Sequence, residues 1–304
     1  MNDAQNIMYI LNPLSQDGGG LKAWSKARKK YSQLPENPVN MITDNVLELI
    51  KTKKPKVIAI AGGDGAVNFV CQLVSQLKQK PLLTILPFGT GNALSYCFGV
   101  ETLAKAIAVL KTQNKKVTID LMKTNIPDHE VGVMSASAGV DARSIFHRQD
   151  FRYIGWGAYA MSALQSFVFH PEEEITFTID HKVTLSAKAS SLFIANSPVI
   201  GLNYLVAPKA KLNDGVLDCT LFSTKYSFIR NIRVHGFKHP LYTELGKVRF
   251  KATHIKIEGN PYVQIDGDPV KHRGGIEVEI WPSQLDFLRS NEESIKQEEL
   301  PFNL

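Results

Sequence analysis

Two glycine-rich loops in the first third of the chain have the composition of phosphate-binding turns. The first is Gly62–Asn68 and the second is Pro87–Asn92; each follows an apolar stretch and opens a helix. Glycine lets the backbone approach phosphate oxygens, and the helix that follows offers N–H groups and the positive end of its dipole. A single loop of this kind is as often a simple turn as a phosphate-binding site. Two of them, with Asp64, Thr90 and Asn92 among the glycines, favour a nucleotide site.

Two other predicted strand ends carry small or hydrogen-bonding residues. Asn12-Pro13-Leu14-Ser15 follows the first strand and precedes three glycines, and Thr43 lies just past the second strand. The carboxyl ends of parallel strands meet at one edge of a sheet, where ligands bind. We therefore predict a binding edge for something phosphorylated. The P-loop motif GxxxxGK[ST] and the dinucleotide motif GxGxxG are both missing from the sequence, so neither of those sites is expected.

The elements that must position these loops alternate between strand and helix over the first part of the chain. Continuous apolar strands between helices are typical of a parallel sheet that is covered on both faces. The predicted strands are Ile7–Leu11, Val39–Ile42, Val57–Ala61 and Leu82–Leu86, and the predicted helices are Leu21–Leu34, Asp44–Lys53 and Ala66–Lys78.

After about Lys116 the pattern changes to short strands, and only Gly155–Phe169 has the spacing of a long helix. This pattern predicts a mostly antiparallel β domain. The predicted strands are Val117–Met122, Val131–Ser137, Glu174–Ile179, Lys182–Ala187, Ser191–Ala195, Gly215–Phe222, His254–Glu258, Tyr262–Ile265 and Ile276–Trp281. We therefore expect an α/β domain over residues 1–122 and a β domain over residues 123–282.

Size and composition limit the possible classes of protein. A length of 304 residues suits two domains. The three cysteines are scattered, which indicates neither a disulfide framework nor a metal site and suits a reducing cytoplasm. The formal charge of +6 does not choose among nucleic acid, anionic membrane and phosphate substrate, but an aromatic-basic nucleic-acid motif is missing. Apolar stretches are too short to span a bilayer, so any membrane contact is expected to be peripheral.

These residues resemble the diacylglycerol kinase catalytic-domain family, which includes bacterial lipid kinases and the sphingosine kinases. The likeness covers nearly the whole chain, and its order and spacing are more specific than any single motif. It is carried by Asn12-Pro13, Gly62–Gly65, Pro87–Asn92, Ala195-Asn196-Ser197, Gly201, Ala207–Ala210, Leu212–Gly215 and Gln264–Asp268.

The resemblance implies a phosphofructokinase-like α/β nucleotide-binding domain followed by a β-sandwich domain, with residues 283–304 returning to the first domain. It also implies ATP and Mg²⁺ as cofactors. Asp214, with the backbone carbonyls of Lys211 and Val216, would hold a structural Mg²⁺, and Asp268 would be the proton acceptor. The residues that would hold ATP are Asn12, Pro13, Leu14, Ser15, Thr43, Gly62, Gly63, Asp64, Gly65, Ala66, Val67, Asn68, Gly89, Thr90, Gly91 and Asn92.

The acidic pair Asp266 and Asp268 straddles a glycine, and strand alternation would place both carboxylates on one side. Phosphoryl transfer requires positioning, charge neutralisation by Mg²⁺ and a carboxylate that takes the hydroxyl proton. One of the two could accept the proton while the other orients it or contacts a metal. The alternative is that Asp-Gly-Asp is a hairpin turn with solvated carboxylates and Ile276–Trp281 as the return strand.

The chain departs from the family pattern at several positions. The family glutamate is Asp268 here, which is one methylene shorter. Ala66 stands in place of a threonine and Phe69 in place of a glutamate, and Asn92 is followed by alanine and leucine rather than an aspartate. The last departure is more similar to the sphingosine kinases than to the bacterial diacylglycerol kinases.

A basic segment between Lys225 and Lys251 interleaves Lys and Arg with apolar residues. Such a pattern favours anionic lipid headgroups, although a solvated face is an equally good interpretation. The leading hypothesis is an ATP-dependent kinase of a lipid hydroxyl, with diacylglycerol, a sphingoid base or a related lipid as acceptor. The alternatives are a kinase of NAD or another soluble alcohol, and a weak or inactive homologue that binds nucleotide or lipid.

Overall fold

The computed structural model describes residues 6–16, 18–148, 172–200, 204–224, 246–259, 262–270 and 275–290. The chain divides into two compact units, Met1–Ile119 with Gln284–Leu304, and Asp120–Ser283. The predicted helix Gly155–Phe169, Gly201, most of the basic segment and the end of the returning tail lie outside the described residues. Within the described ranges, no helix is both long enough and apolar enough to cross a membrane.

The first unit is an α/β domain built on a parallel sheet of order β2-β1-β3-β4. Every residue of β3 is buried, as expected for a central strand covered on both faces. The elements in chain order are β1 (Ile7–Leu11), α1 (Gly20–Lys30), β2 (Val39–Asn40), α2 (Val46–Lys53), β3 (Val57–Gly62), α3 (Asp64–Ser75), β4 (Leu82–Pro87), α4 (Ala93–Cys97) and α5 (Leu103–Thr112).

Side-chain caps fix the starts of two of these helices. The side chain of Asn45 accepts a hydrogen bond from the N–H of Glu48 at the start of α2, and the hydroxyl of Thr102 accepts one from Lys105 at the start of α5. Each cap of this kind stabilises its helix by about 1 kcal/mol. Neither α4 nor α5 was among the predicted elements.

Over the described residues, the second unit contains two larger antiparallel sheets and a two-stranded one formed by β11 and β12. Of the two larger sheets, one has the order β14-β13-β10-β7-β16-β17, and in the other β15 pairs with both β18 and β8, and β8 pairs with β9. The elements are β5 (Lys116–Thr124), β6 (Val131–Gly132), β7 (Ser135–Gly139), α6 (Val140–Arg148), β8 (Glu173–Ile179), β9 (Val183–Ala189), β10 (Ser191–Ala195), β11 (Val199–Ile200), β12 (Tyr204–Leu205), β13 (Leu217–Phe222), β14 (Lys247–Ala252), β15 (His254–Ile257), β16 (Val263–Ile265), β17 (Asp268–Val270) and β18 (Ile276–Leu288).

One apolar core lies between the two larger sheets. Phe177 and Ile255 enter it from one sheet, and Leu192 and Leu217 enter it from the other; all four are almost fully buried. Burying a side chain of this size contributes roughly 1.5–3 kcal/mol. The predicted fold class, an α/β domain followed by a β-sandwich, is confirmed.

The strand β18 is longer than its predicted form, Ile276–Trp281. It begins in the sandwich, where it pairs with β15, and near its end Phe287 pairs in parallel with Leu83 of β4. The end of β18 is therefore a fifth strand of the parallel sheet in the α/β unit.

Candidate functional site

The two glycine loops of the α/β unit touch through their backbones. A Cβ atom placed on Gly89 would collide with the Cα of Gly63, and a Cβ placed on Gly63 would lie 3.0 Å from the Cα of Gly89. Gly62 has similar limits, because an added Cβ would collide with Ala66 and lie 3.5 Å from the Cβ of Asn12. The glycines are therefore required by the close packing of the loops on each other.

Asp64 ties the first loop to the second. Its carboxylate accepts hydrogen bonds from the backbone N–H groups of Ala93 and Leu94 at the start of α4, at 3.1 and 3.0 Å. Burial raises the pKa of Asp64 above its ordinary value, although these two bonds oppose the shift. The side chain of Asp64 thus serves to position the loops.

Asn92 closes the second loop on itself. Its Oδ1 accepts a hydrogen bond from the N–H of Gly89 at 2.9 Å, and its Nδ2 donates to the Gly89 carbonyl at 2.7 Å. Its backbone is left-handed, with φ of 49°, a conformation that asparagine tolerates better than most residues. Gly91 lies inside this closed turn. Thr90 is the exposed side chain of the loop.

The turn after β1 lies beside the first glycine loop. The side chain of Asn12 accepts a hydrogen bond from Leu14 N–H at 3.0 Å, and its backbone N–H donates to the Ala61 carbonyl. Ser15 is buried near Gly62, whereas Leu14 is 63% exposed. The structure therefore brings Asn12–Ser15 and both glycine loops together at the carboxyl ends of neighbouring strands.

Thr43 follows β2, which pairs with β1 at the edge of the same sheet. It is exposed, and its hydroxyl donates a hydrogen bond to Asp44 at 3.1 Å. Asn40 shapes this turn, because its side chain accepts hydrogen bonds from the N–H groups of Ile42 and Thr43.

Apart from the Asp64 carboxylate, the N-terminus of α3 contributes backbone to this edge. Gly63 is its N-cap and provides no side-chain cap, and an added Cβ on Gly65 would meet open space. In contrast, the side chains of Ala66, Val67 and Asn68 are buried. The first N–H groups of a helix lack partners within the helix and attract anions. The Gly63–Gly65 backbone at this N-terminus is therefore the candidate surface for a phosphate group.

The Asp-Gly-Asp sequence is a tight hairpin turn in the second unit, and this corrects the expectation that one strand carries both carboxylates on one side. Ile265 pairs with Asp268, and the two residues between them, Asp266 and Gly267, have positive φ values of 50° and 89°. Such a two-residue loop matches the twist of the strands that it joins. The return strand is β17, not the predicted Ile276–Trp281.

Asp266 is buried and not solvated. Its carboxylate accepts three backbone hydrogen bonds, from Val133, Met134 and Ser135, at 2.6–2.8 Å. These bonds explain why the predicted strand Val131–Ser137 is interrupted, because the N–H groups between β6 and β7 point at a carboxylate instead of a neighbouring strand. Asp266 therefore has a positioning role, and Asp268 is the exposed carboxylate of the turn.

The turn is held in place from inside the sandwich. The side chain of Gln264 accepts a hydrogen bond from Gly267 N–H at 2.7 Å and donates one to the hydroxyl of Ser137 at 2.9 Å. Asp268 is thus an exposed acidic group on a rigid support.

Asp214, the predicted Mg²⁺ ligand, is already paired with a lysine. The ammonium group of Lys251 lies 3.1 Å from Oδ2 of Asp214, the only side-chain ligand of that predicted site. Mg²⁺ requires oxygen ligands in a near-ideal octahedron, and a lysine cation already contacts this carboxylate. Lys211 and Val216 flank Asp214 in the same loop. Among the described residues, no three His, Cys, Asp or Glu side chains cluster so as to hold a metal ion.

Two buried carboxylates were missed by sequence reasoning. The side chain of Asp120 accepts hydrogen bonds from the N–H groups of Gly215 and Ser283, at 2.8 and 2.7 Å, and the Asp120 carbonyl accepts one from Asn196. The signal for it was an acidic residue between the apolar Ile119 and Leu121 of the predicted strand Val117–Met122. Asp120 fixes the loop that contains Asp214.

The second is Asp141, in the first turn of α6. Burial raises its pKa to about 6, while hydrogen bonds from Ser137 and Ser191 oppose the shift. Its Oδ1 atom has no hydrogen-bond partner within the part of the chain that the structure describes. The sequence offers only a weak signal for it, an aspartate two residues after a glycine at a strand end.

Comparisons with known proteins agree with this architecture. Residues 6–124 match the diacylglycerol kinase catalytic domain, and residues 134–289 match the YegS C-terminal NAD kinase beta sandwich-like domain. A "Probable lipid kinase YegS-like" of Shewanella frigidimarina is 26% identical over 181 residues, and the match spans 56% of each chain. A "Diacylglycerol kinase" of Mycobacterium tuberculosis is 25% identical over 308 residues, which cover 93% of this chain and 94% of that one.

Solved structures share the fold at low identity. A diacylglycerol kinase from Bacillus anthracis superposes with a TM-score of 0.65 at 18% identity, over 96% of this chain and 99% of that one. An NAD kinase from Archaeoglobus fulgidus, solved in complex with ATP, gives 0.51 at 13% identity over 95% of each chain. With these two models matched one after the other, this chain belongs to the family of proteins that join a diacylglycerol kinase catalytic domain to a YegS C-terminal NAD kinase beta sandwich-like domain.

Proposed function

We propose that this protein is an ATP-dependent lipid kinase that transfers the γ-phosphate of ATP to a lipid hydroxyl group. The observation that carries the proposal is the backbone contact between Gly63 and Gly89 beside the N-terminus of α3. The contact sets the two loops side by side at a helix N-terminus, whose positive dipole end attracts a polyphosphate. Membership of a lipid kinase family supplies the acceptor class.

The proposed ATP site uses the backbone of Gly62–Gly65 and the exposed Thr90, with the turn after β1 beside them. Mg²⁺ would enter with the nucleotide and neutralise charge on the phosphates. Asp64 and Asn92 act indirectly, because their side chains hold the loops in shape. Ala66, Val67 and Asn68 are buried, so their contribution is through the backbone and the packing of α3.

Asp268 is the proposed proton acceptor. It is exposed, whereas the carboxylate of Asp266 accepts three backbone hydrogen bonds. The acceptor hydroxyl must lose a proton during phosphoryl transfer, and a positioned carboxylate is suited to take it. Of the two acids in the turn, only Asp268 remains a candidate.

We also propose that the protein works at an anionic membrane surface as a peripheral protein of the cytoplasm. The support is the basic segment between Lys225 and Lys251, of which the structure describes β14 with its 59% exposed Val248. Cosedimentation with vesicles that contain anionic lipid, and release by salt, is the expected behaviour. Binding to neutral vesicles in high salt that equals the binding to anionic vesicles would count against this surface.

The experiment that tests the function is a transfer assay on the purified full chain. Labelled ATP and Mg²⁺ are supplied with diacylglycerol, a sphingoid base and related lipids in mixed micelles, and with NAD in a parallel reaction. We expect label in one or more lipids and none in NAD. Label in NAD alone would contradict the lipid assignment and favour a kinase of a soluble alcohol.

A binding protein without turnover is the second candidate, and the commitment of Asp266 favours it because the turn then offers one short carboxylate instead of two. It predicts ATP affinity and no labelled product with any acceptor. Isothermal titration with ATP alongside the transfer assay distinguishes the two functions.

A further inference from the structure

An ion cluster in the second unit joins a loop to two strands. Lys251 of β14 lies directly opposite Asp218 of β13 in the sheet register. Its Nζ is 3.1 Å from Oδ2 of Asp214 and 3.5 Å from Oδ2 of Asp218. The lysine is therefore placed by strand pairing, between two carboxylates that would otherwise repel each other.

The loop that carries Asp214 is also held from its other side. Asp120 Oδ2 accepts a hydrogen bond from the N–H of Gly215 at 2.8 Å, and the carbonyl of Leu212 accepts one from the N–H of Asp120 at 2.6 Å. The loop thus has a carboxylate fixing its backbone and a cation fixing its side chain. Together these contacts hold the loop in place, as a bound ion would.

We propose that Lys251 supplies the positive charge at Asp214 and Asp218 in place of a metal ion, so that this unit folds and stays folded without bound Mg²⁺. A second cation beside the ammonium group would be repelled, and one oxygen of Asp214 is already used by it. The role of Lys251 holds whether or not the chain transfers phosphate. If the kinase proposal is right as well, the Mg²⁺ requirement of the reaction belongs to the nucleotide alone.

The test is the thermal unfolding of the full chain without nucleotide, measured with a chelator and with millimolar Mg²⁺. The wild-type midpoint should be the same in both. Lys251→Met should lower the midpoint by about 2–4 °C in chelator, a shift typical of about 1 kcal/mol in a domain of this size, and Mg²⁺ should restore it. Lys251→Arg, which keeps the charge, should resemble the wild type in its indifference to Mg²⁺.

Lys256→Met is the matched control. Lys256 is also a cross-strand lysine, opposite Glu277, and its side chain is 44% exposed against 52% for Lys251. Among the described residues it forms an ion pair with one carboxylate, at 3.7 Å, so its loss should not create a response to Mg²⁺.

Two outcomes would overturn the proposal. One is a wild-type midpoint that falls in chelator and loses that response in Asp214→Asn, which would place a metal at Asp214. The other is a Lys251→Met protein with an unchanged midpoint in both buffers. If Lys251→Met does not fold, the wild type and Asp214→Asn decide alone: indifference of the wild type to chelator supports the lysine, and a sensitivity that Asp214→Asn removes refutes it.

Discussion

The glycine loop of the α/β unit and the acidic turn of the sandwich each contain an aspartate beside a glycine, and the two aspartates serve the same purpose. Asp64 accepts two backbone hydrogen bonds and Asp266 accepts three. The groups that we propose for ligands differ between the regions. In the first they are backbone groups at a helix N-terminus, and in the second it is the exposed carboxylate of Asp268.

This difference shows that burial decides which of two roles an acidic residue in a short motif has. A carboxylate surrounded by N–H groups shapes the chain, and an exposed one on a shaped turn is a candidate for chemistry. Variants of Asp268, Asp266, Asp141 and Gly89 test this division.

The largest effect is expected from Asp268→Asn. Loss of a general base costs about 10²- to 10⁴-fold in rate, so kcat should fall by that factor while the Kd for ATP stays the same. Transfer kinetics and calorimetry measure the two quantities. Asp128→Asn, at an exposed turn elsewhere in the same unit, is the matched control and should keep its activity.

Asp266→Asn should lower stability rather than only activity. The carboxylate has two acceptor oxygens, which together accept hydrogen bonds from three N–H groups. The amide retains only one acceptor oxygen. Hydrogen bonds to charged groups contribute about 1.5–3 kcal/mol each, so we expect a loss of about 3–5 kcal/mol in the free energy of unfolding. Denaturant titration measures it, and a loss under 1 kcal/mol would remove Asp266 from its positioning role.

Asp141 is a buried carboxylate whose folded pKa is raised from 3.8 to about 6. A raised pKa means that folding disfavours the charged form, so the wild type loses stability as pH rises from 4 to 6. Asp141→Asn lacks this loss. Its stability relative to wild type should therefore rise by up to about 3 kcal/mol between pH 4 and pH 7. Parallel pH profiles of denaturant unfolding test this, and a pH-independent difference would contradict it.

The smallest effect on stability is expected where the glycine loops touch. Gly89→Ala places a Cβ against the backbone of Gly63, and overpacking of this kind costs about 1–3 kcal/mol. ATP affinity should fall as well, because the loops must separate. Gly65→Ala is the control, because its added Cβ meets open space at the start of α3. It should leave the free energy of unfolding unchanged or slightly raised.

Much of the fold follows from local pattern. The continuous apolar residues of β3 and the helical spacing of α3 predict the parallel sheet, and the alternation in β8 predicts the antiparallel one. The strand end at Asn12 and both glycine loops were also predictable, since each is a short segment next to a clear strand.

What could not be predicted depends on partners far apart in sequence. The carboxylate of Asp266 acts on residues more than 130 positions earlier, and Lys251 meets Asp214 across 37 positions through the register of β13 and β14. Neither contact leaves a mark on local periodicity. The interruption between β6 and β7 was missed for the same reason.

The most direct test of the proposed activity is transfer of label from ATP into a total lipid extract by the full chain, followed by identification of the product. We expect one labelled class of phosphorylated lipid that Asp268→Asn does not form. Binding of ATP with no labelled lipid, or equal labelling by the wild type and the variant, would contradict the account.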